Sequence, residues 1–193
     1  MYNVSIGITT NMGESATGWI AQNADSLGAR SIWIGEDIAL GQETFVLTAN
    51  TLMQTKNVRV GTGIIPVPVH NIATLARVGL ALSEIGEGRF AFGFGIGGLQ
   101  DLERHGINIR KPVTELRKTV QTLTRLWEGE TVDSESEMFS LKNFGLGQAN
   151  PLKVPIFLGV RGPQMLKLTG NIADGVILSG PFDYLRNAIT MVD

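Results

Sequence analysis

Runs of β-forming residues recur at near-constant spacing along this chain. Residues 4–8, 31–35, 58–64 and 89–95 begin 27, 27 and 31 residues apart, and two further runs, 154–160 and 175–179, follow after steps of 65 and 21. Each run is almost continuously apolar, as parallel strands are when other elements cover both faces of their sheet. Helical patterns fill the gaps. Phe45, Val46, Ala49, Leu52 and Met53 share one face; so do Leu75, Val78, Leu82 and Ile85, and so do Val113, Leu116, Val120, Leu123 and Trp127. Gly28, Gly86 and Gly129 stand where C′ glycines end helices, and Pro112 suits a first helical turn. Trp33 and Trp19 are expected in the core, and Trp127 in helix packing. Crossovers this short make right-handed βαβ units.

A doubly wound sheet and a closed barrel both fit such a repeat, and the glycines separate them. Gly93-x-Gly95-x-x-Gly98 has the spacing of a dinucleotide-binding turn, but it follows the fourth run instead of the first. Glu115 downstream falls inside a helical pattern, not at a strand end, and the first run leads into Thr9-Thr10-Asn11-Met12. The expected fold is therefore α/β, of the (β/α)8 TIM-barrel type. A closed barrel needs eight units and ~250 residues. About six units are present, an incomplete barrel in one domain, with an inserted excursion at 131–153 that is expected either to pack at one end of the barrel and edge a pocket or to be a plain surface loop. The chain is expected to be a piece of a longer barrel, or to be closed by another chain. Unpaired edges on the first and last strands predict a homo-oligomer that shields them.

Composition removes several chemistries. There is no cysteine, so thiolate catalysis, disulfides and thiolate metal sites are excluded, and His70 and His105 are too few for a histidine metal site. A net charge of −2 without a basic cluster gives no case for nucleic acid. No apolar run approaches the ~18 residues of a membrane span. The chain is expected to be cytoplasmic and to act on a small-molecule substrate.

Ligands of such folds sit at the carboxyl ends of the strands. In Arg89–Gly98, written RFAFGFGIGG, a strand runs directly into glycines that let backbone amides approach an anion. Val160-Arg161-Gly162-Pro163 opens a helix whose free amides and dipole suit a phosphate, with Arg161 adding charge. With Gly97, Gly98, Leu99, Ser179 and Gly180 these residues form a candidate phosphate cradle; the same residues also suit a plain βα turn. Glu36 and Asp37 end the second run, where one carboxylate either orients a cofactor hydroxyl or caps the next helix. His70, in a loop begun by Pro66 and Pro68, is a candidate catalytic group or a surface residue. Among Gln100, Asp101 and Glu103, Asp101 is the one expected to face the pocket.

Residues 61–98, GTGIIPVPVHNIATLARVGLALSEIGEGRFAFGFGIGG, resemble the luciferase-like monooxygenase superfamily. The stretches RKPVTELRKTVQTLTRLWEGE (110–130) and VPIFLGVRGPQMLKLTGNIADGVILSG (154–180) are similar to its deazaflavin branch, methylenetetrahydromethanopterin reductases above all. The resemblance implies a TIM-type barrel that transfers hydride with coenzyme F420, or alternatively an FMN-dependent monooxygenase or reductase. It also implies a bulge with a cis peptide at Gly63-Ile64 against which the ring system leans. Thr10, Gly63, Ile64 and Ile65 join the cradle residues as implied cofactor contacts. Family members often carry Asp-His where this chain has Glu36-Asp37, and they carry acids where an ungapped reading puts Gly7 and Gly98. Those losses leave a catalytically silent barrel subunit as a further reading.

Overall fold

A computed structural model describes residues 4–39 and 41–192. Its strands are β1 (Val4–Thr9), β2 (Ala29–Gly35), β3 (Arg59–Thr62) with a short continuation β4 (Ile65–Pro66), and β5 (Phe90–Gly95); an outlying pair, β6 (Val132–Glu135) and β7 (Ser140–Phe144); and then β8 (Ile156–Gly159) and β9 (Gly175–Ile177). The helices are α1 (Glu14–Ala24), α2 (Thr44–Gln54), α3 (Ile72–Ile85), the short α4 (Leu99–Arg104), α5 (Pro112–Trp127), α6 (Pro163–Ile172) and α7 (Phe182–Val192). The main sheet runs β1-β2-β3-β5-β8-β9, with β4 also on β5, and every one of these pairings is parallel. It is half of a barrel, with the helices on its outer side.

β5 shows how residue size builds this wall. In Phe-Ala-Phe-Gly-Phe-Gly, side chains alternate between the two faces. Phe90, Phe92 and Phe94 are fully buried, and Phe92 lies between Phe94 and Trp127, with centroids 4.2 and 6.1 Å away. Burying each ring contributes about 1.5–3 kcal/mol. On the other face the strands supply glycines, and large side chains from neighbouring strands fill the space. Trp33 packs on Phe157 at 4.9 Å across the half-barrel, and a Cβ on Gly61 would stand 2.5 Å from the Trp33 ring. Trp127 donates from Nε1 to Ala76 O at 2.9 Å and seals α5 against α3.

Several expectations from the sequence need correction. The buried face of α2 is Thr44, Leu47, Thr48, Thr51 and Leu52, whereas Val46 and Met53 are 66% and 76% exposed. The threonines can be buried because Thr48 and Thr51 donate to the carbonyls of Thr44 and Leu47, at 2.7 and 2.8 Å. Trp19 is 60% exposed on α1 and does not belong to the core. Gly86 ends α3 with φ −83°; the left-handed residues after it are Glu87 and Gly88. Residues 131–153 contribute the β6–β7 hairpin, which packs on α5 through Lys118 Nζ to Glu135 O (2.7 Å) and Thr122 Oγ1 to Ser134 Oγ (2.8 Å), and none of them lines the cavity described below. The fifth expected run is shorter because Pro155 has no N–H to pair; Ile156 N turns instead to Asp174 Oδ2, at 2.9 Å.

Candidate functional site

The third strand breaks where the site begins. β3 stops at Thr62, and the peptide between Gly63 and Ile64 is cis. Gly63 N donates to Ile34 O at 2.7 Å and Glu36 N to Ile64 O at 3.1 Å, so both sides of the bulge are held by the end of β2. The Ile64 side chain lies over β8 and β5: a Cβ on Gly159 would meet it at 2.4 Å, and one on Gly95 at 3.0 Å.

Beside this bulge lies a cavity of about 970 Å³ at the carboxyl ends of β5, β8 and β9. The size is that of a site for a large organic ligand. β5 runs into Ile96, Gly97, Gly98 and Leu99 along one side, and Gly97 turns with φ +86° against Pro66. β8 delivers Gly159, Val160 and Arg161, after which Gly162, at φ +82°, starts α6 with Pro163 in its first turn. Ile177 and Ser179 close the far side, and Pro112 and Val113 reach in from the start of α5. The walls are mainly apolar. Polar groups gather where α6 begins: Arg161, Gln164 and the first-turn amides, which have no partners within the helix.

Nine residues expected to hold a cofactor line this cavity: Gly63, Ile64, Gly97, Gly98, Leu99, Arg161, Gly162, Pro163 and Ser179. Three do not. Thr10 is buried under the β2 loop, where its Oγ1 accepts from Asp37 N at 3.2 Å. Ile65 points into the core, and Gly180 adjoins the Tyr184 ring.

None of the four candidate catalytic residues lines the cavity. Glu36 and His70 meet on the β2 side of the bulge, Oε2 to Nε2 at 2.8 Å, with side chains 15% and 18% exposed and the His70 ring packed against Phe45. Asp37 accepts from Ala39 N at 3.0 Å and shapes its own loop. Asp101, expected to face the pocket, pairs instead with Arg104 at 3.3 Å on α4. Sequence reasoning missed the apolar walls. Ile96 and Ile177 sit at strand ends and could have been found by position; Val113 and Met165 carry no local signal, being brought in by the return of α5 and the first turn of α6.

A half-barrel with a bulged third strand and a helix start facing one cavity defines a ligand-binding α/β protein of the TIM-barrel type. Residues 10–193 match the family model described as luciferase-like monooxygenase, and the chain belongs to that family. It is 30% identical over 164 residues to 5,10-methylenetetrahydromethanopterin reductase from Archaeoglobus fulgidus, covering 83% of this chain and 48% of that protein. The chain thus spans about half the length of the curated relatives it matches. Among solved structures, the coenzyme F420-dependent tetrahydromethanopterin reductase from Methanopyrus kandleri superposes with a TM-score of 0.86 at 19% identity, over 98% of this chain and 59% of that one. The FMN-bound oxygenating constituent of 3,6-diketocamphane monooxygenase from Pseudomonas putida superposes with a TM-score of 0.81 at 20% identity, over 100% and 61%. Family members of this kind are flavin- or deazaflavin-dependent oxidoreductases.

Proposed function

We propose that this chain carries the cofactor-binding half of a hydride-transferring oxidoreductase, with coenzyme F420 as the cofactor and a pterin-like small molecule as the substrate. The observation that carries this reading is the convergence of the Gly63–Ile64 bulge and the α6 start on one mainly apolar cavity. The residues fit such a group. Glycines at 97, 98 and 159 leave the walls without side chains; a Cβ on Gly98 would stand 2.9 Å from Asp101 Oδ2. Ile64, Ile96 and Ile177 would give a flat ring apolar contact. Arg161 and the amides at the start of α6 would hold its phosphate. When bound, F420 supplies hydride transfer at its ring.

The chain's own residues bind, orient and exclude water. Glu36 fixes the His70 ring through Nε2, and we assign the polar work at the substrate side to this pair, ahead of Asp37, which serves its own loop, and Asp101, which pairs with Arg104 along α4. FMN in the same cavity is the second reading, and the fold shared with an FMN-bound neighbour favours it. For the 193-residue chain, β1 and β9 have no outer neighbours among the described residues, and self-association that shields them belongs to the same proposal.

Titration of the protein with F420 and with FMN, followed by absorbance, separates these readings. Saturable spectral change with F420, weakened about tenfold or more by Arg161→Gln, is the expected result. A change with FMN alone selects the second reading, and none with either leaves a silent subunit. Sedimentation of the same sample reads the self-association; a stable monomer counts against it.

A further inference from the structure

We propose that the opposite end of the sheet binds a small tetrahedral oxyanion of the phosphate class, held by Arg30 and Arg59. A depression of about 270 Å³ opens between the amino-terminal ends of β2, β3 and β5, lined by Arg30, Ser31, Asn57, Arg59, Gly88 and Arg89. At ~30 Å³ per water that volume holds about nine waters, enough for one hydrated anion. Three arginines therefore line one hollow in a protein whose net charge is −2.

These arginines differ in what they already do. Arg89 is engaged in the fold: Nη1 donates to Thr55 Oγ1 at 2.9 Å and Val58 O at 3.3 Å, and Nη2 to Leu52 O at 3.0 Å, at the carboxyl end of α2. Arg30 and Arg59 are exposed, and neither side chain has a hydrogen bond or an ion pair among the described residues. Arg59 Cζ lies over the Phe157 ring, 5.9 Å from its centroid, and its planar guanidinium carries five N–H donors. A guanidinium fork matches two oxygens of a phosphate, and two arginines borne on neighbouring strands suit an anion with more than two oxygens. Ser31 Oγ, held by Ser5 Oγ at 2.7 Å and by Trp33 Nε1 at 2.9 Å, adds a fixed hydroxyl to the same wall. The hollow also has an optical reporter, because Arg59 lies over the Phe157 ring, whose centroid is 4.9 Å from that of Trp33.

The test is calorimetric titration of the 193-residue protein with inorganic phosphate at low ionic strength, with tryptophan fluorescence in parallel. It is run first on Arg161→Gln, so that binding at the α6 start is weakened and contributes less. Saturable binding should persist in that variant, change the fluorescence, and weaken on the order of tenfold or more in Arg161→Gln combined with Arg30→Gln or Arg59→Gln. Arg59→Lys, which keeps the charge and loses the fork, should fall between. Unfolding midpoints check that each variant is folded. Glycerol 3-phosphate binding more tightly than phosphate identifies a phosphomonoester as the ligand, and equal affinities identify free phosphate. The proposal is overturned by no saturable heat up to roughly 10 mM, a tenfold excess over a weak millimolar site. Binding that ignores Arg30 and Arg59, or acetate binding as tightly as phosphate, overturns it too. None of these results bears on the cofactor titration, which is read separately.

Discussion

Replacing Gly93 by alanine tests whether the half-barrel is held by contact too close for a side chain. A Cβ at this position would stand 1.9 Å from Thr62 O, where such contacts essentially never fall below 3.0 Å. β3 and β5 must then part by the difference, about 1.1 Å. Overpacking of this kind costs about 1–3 kcal/mol. The gap is also spanned by Thr62 Oγ1, which donates to Gly93 O at 2.9 Å and accepts from Gly93 N at 2.8 Å. Losing these two buried hydrogen bonds adds about 0.5–1.5 kcal/mol each. The expected loss is about 2–6 kcal/mol, a large share of the about 5–15 kcal/mol that holds a typical domain together. Urea unfolding followed by tryptophan fluorescence measures it. Gly7→Ala is the control: it too replaces a strand glycine, but its Cβ would meet nothing within 4 Å, and a change within about 0.5 kcal/mol is expected. A Gly93→Ala protein as stable as Gly7→Ala would refute the reasoning. Because Thr62 directly precedes the bulge, whatever Gly93→Ala protein remains folded should also bind F420 more weakly.

Trp127→Ala should cost about 3–5 kcal/mol, because it empties a fully buried site and leaves Ala76 O without its donor; thermal unfolding will show it. Asn71→Ala removes the side chain that caps α3 by accepting from Ala73 N at 2.9 Å, and should lower stability by about 1 kcal/mol in the same assay. Glu36→Gln should leave the unfolding free energy within about 1 kcal/mol of wild type, since the glutamine amide oxygen can still accept from His70 Nε2. If the Glu36–His70 pair performs the proposed polar role, F420-dependent turnover of the same variant should fall about 100-fold; unchanged turnover would remove that assignment.

The sequence carried the strand order and most of the strand-end residues that line the cavity, because both are written in local chemistry. The run from Phe90 to Gly95 alternates large and absent side chains, which is what a wall between helices and a filled interior demands. Gly162-Pro163 marks a helix start whichever ligand it faces. α2 misled because threonine reads as polar. The hydroxyls of Thr48 and Thr51 bond to carbonyls one turn back, so these residues turn inward while Val46 and Met53 face solvent. Neither the direction of a carboxylate nor a cavity wall is local. Glu36 finds His70 thirty-four positions away, and Val113 reaches the pocket only because α5 returns to it. No spacing in the chain encodes those meetings.

β9 is three residues long, half-buried and last in the sheet, and yet Ile177 and Ser179 form one side of the cavity. Anything lodged between that side and the bulge rivets the margin of the molecule to its middle. Fraying at the margin and occupancy of the hollow thus compete, so amide protons of residues 175–177 should exchange more slowly as ligand concentration rises above its dissociation constant.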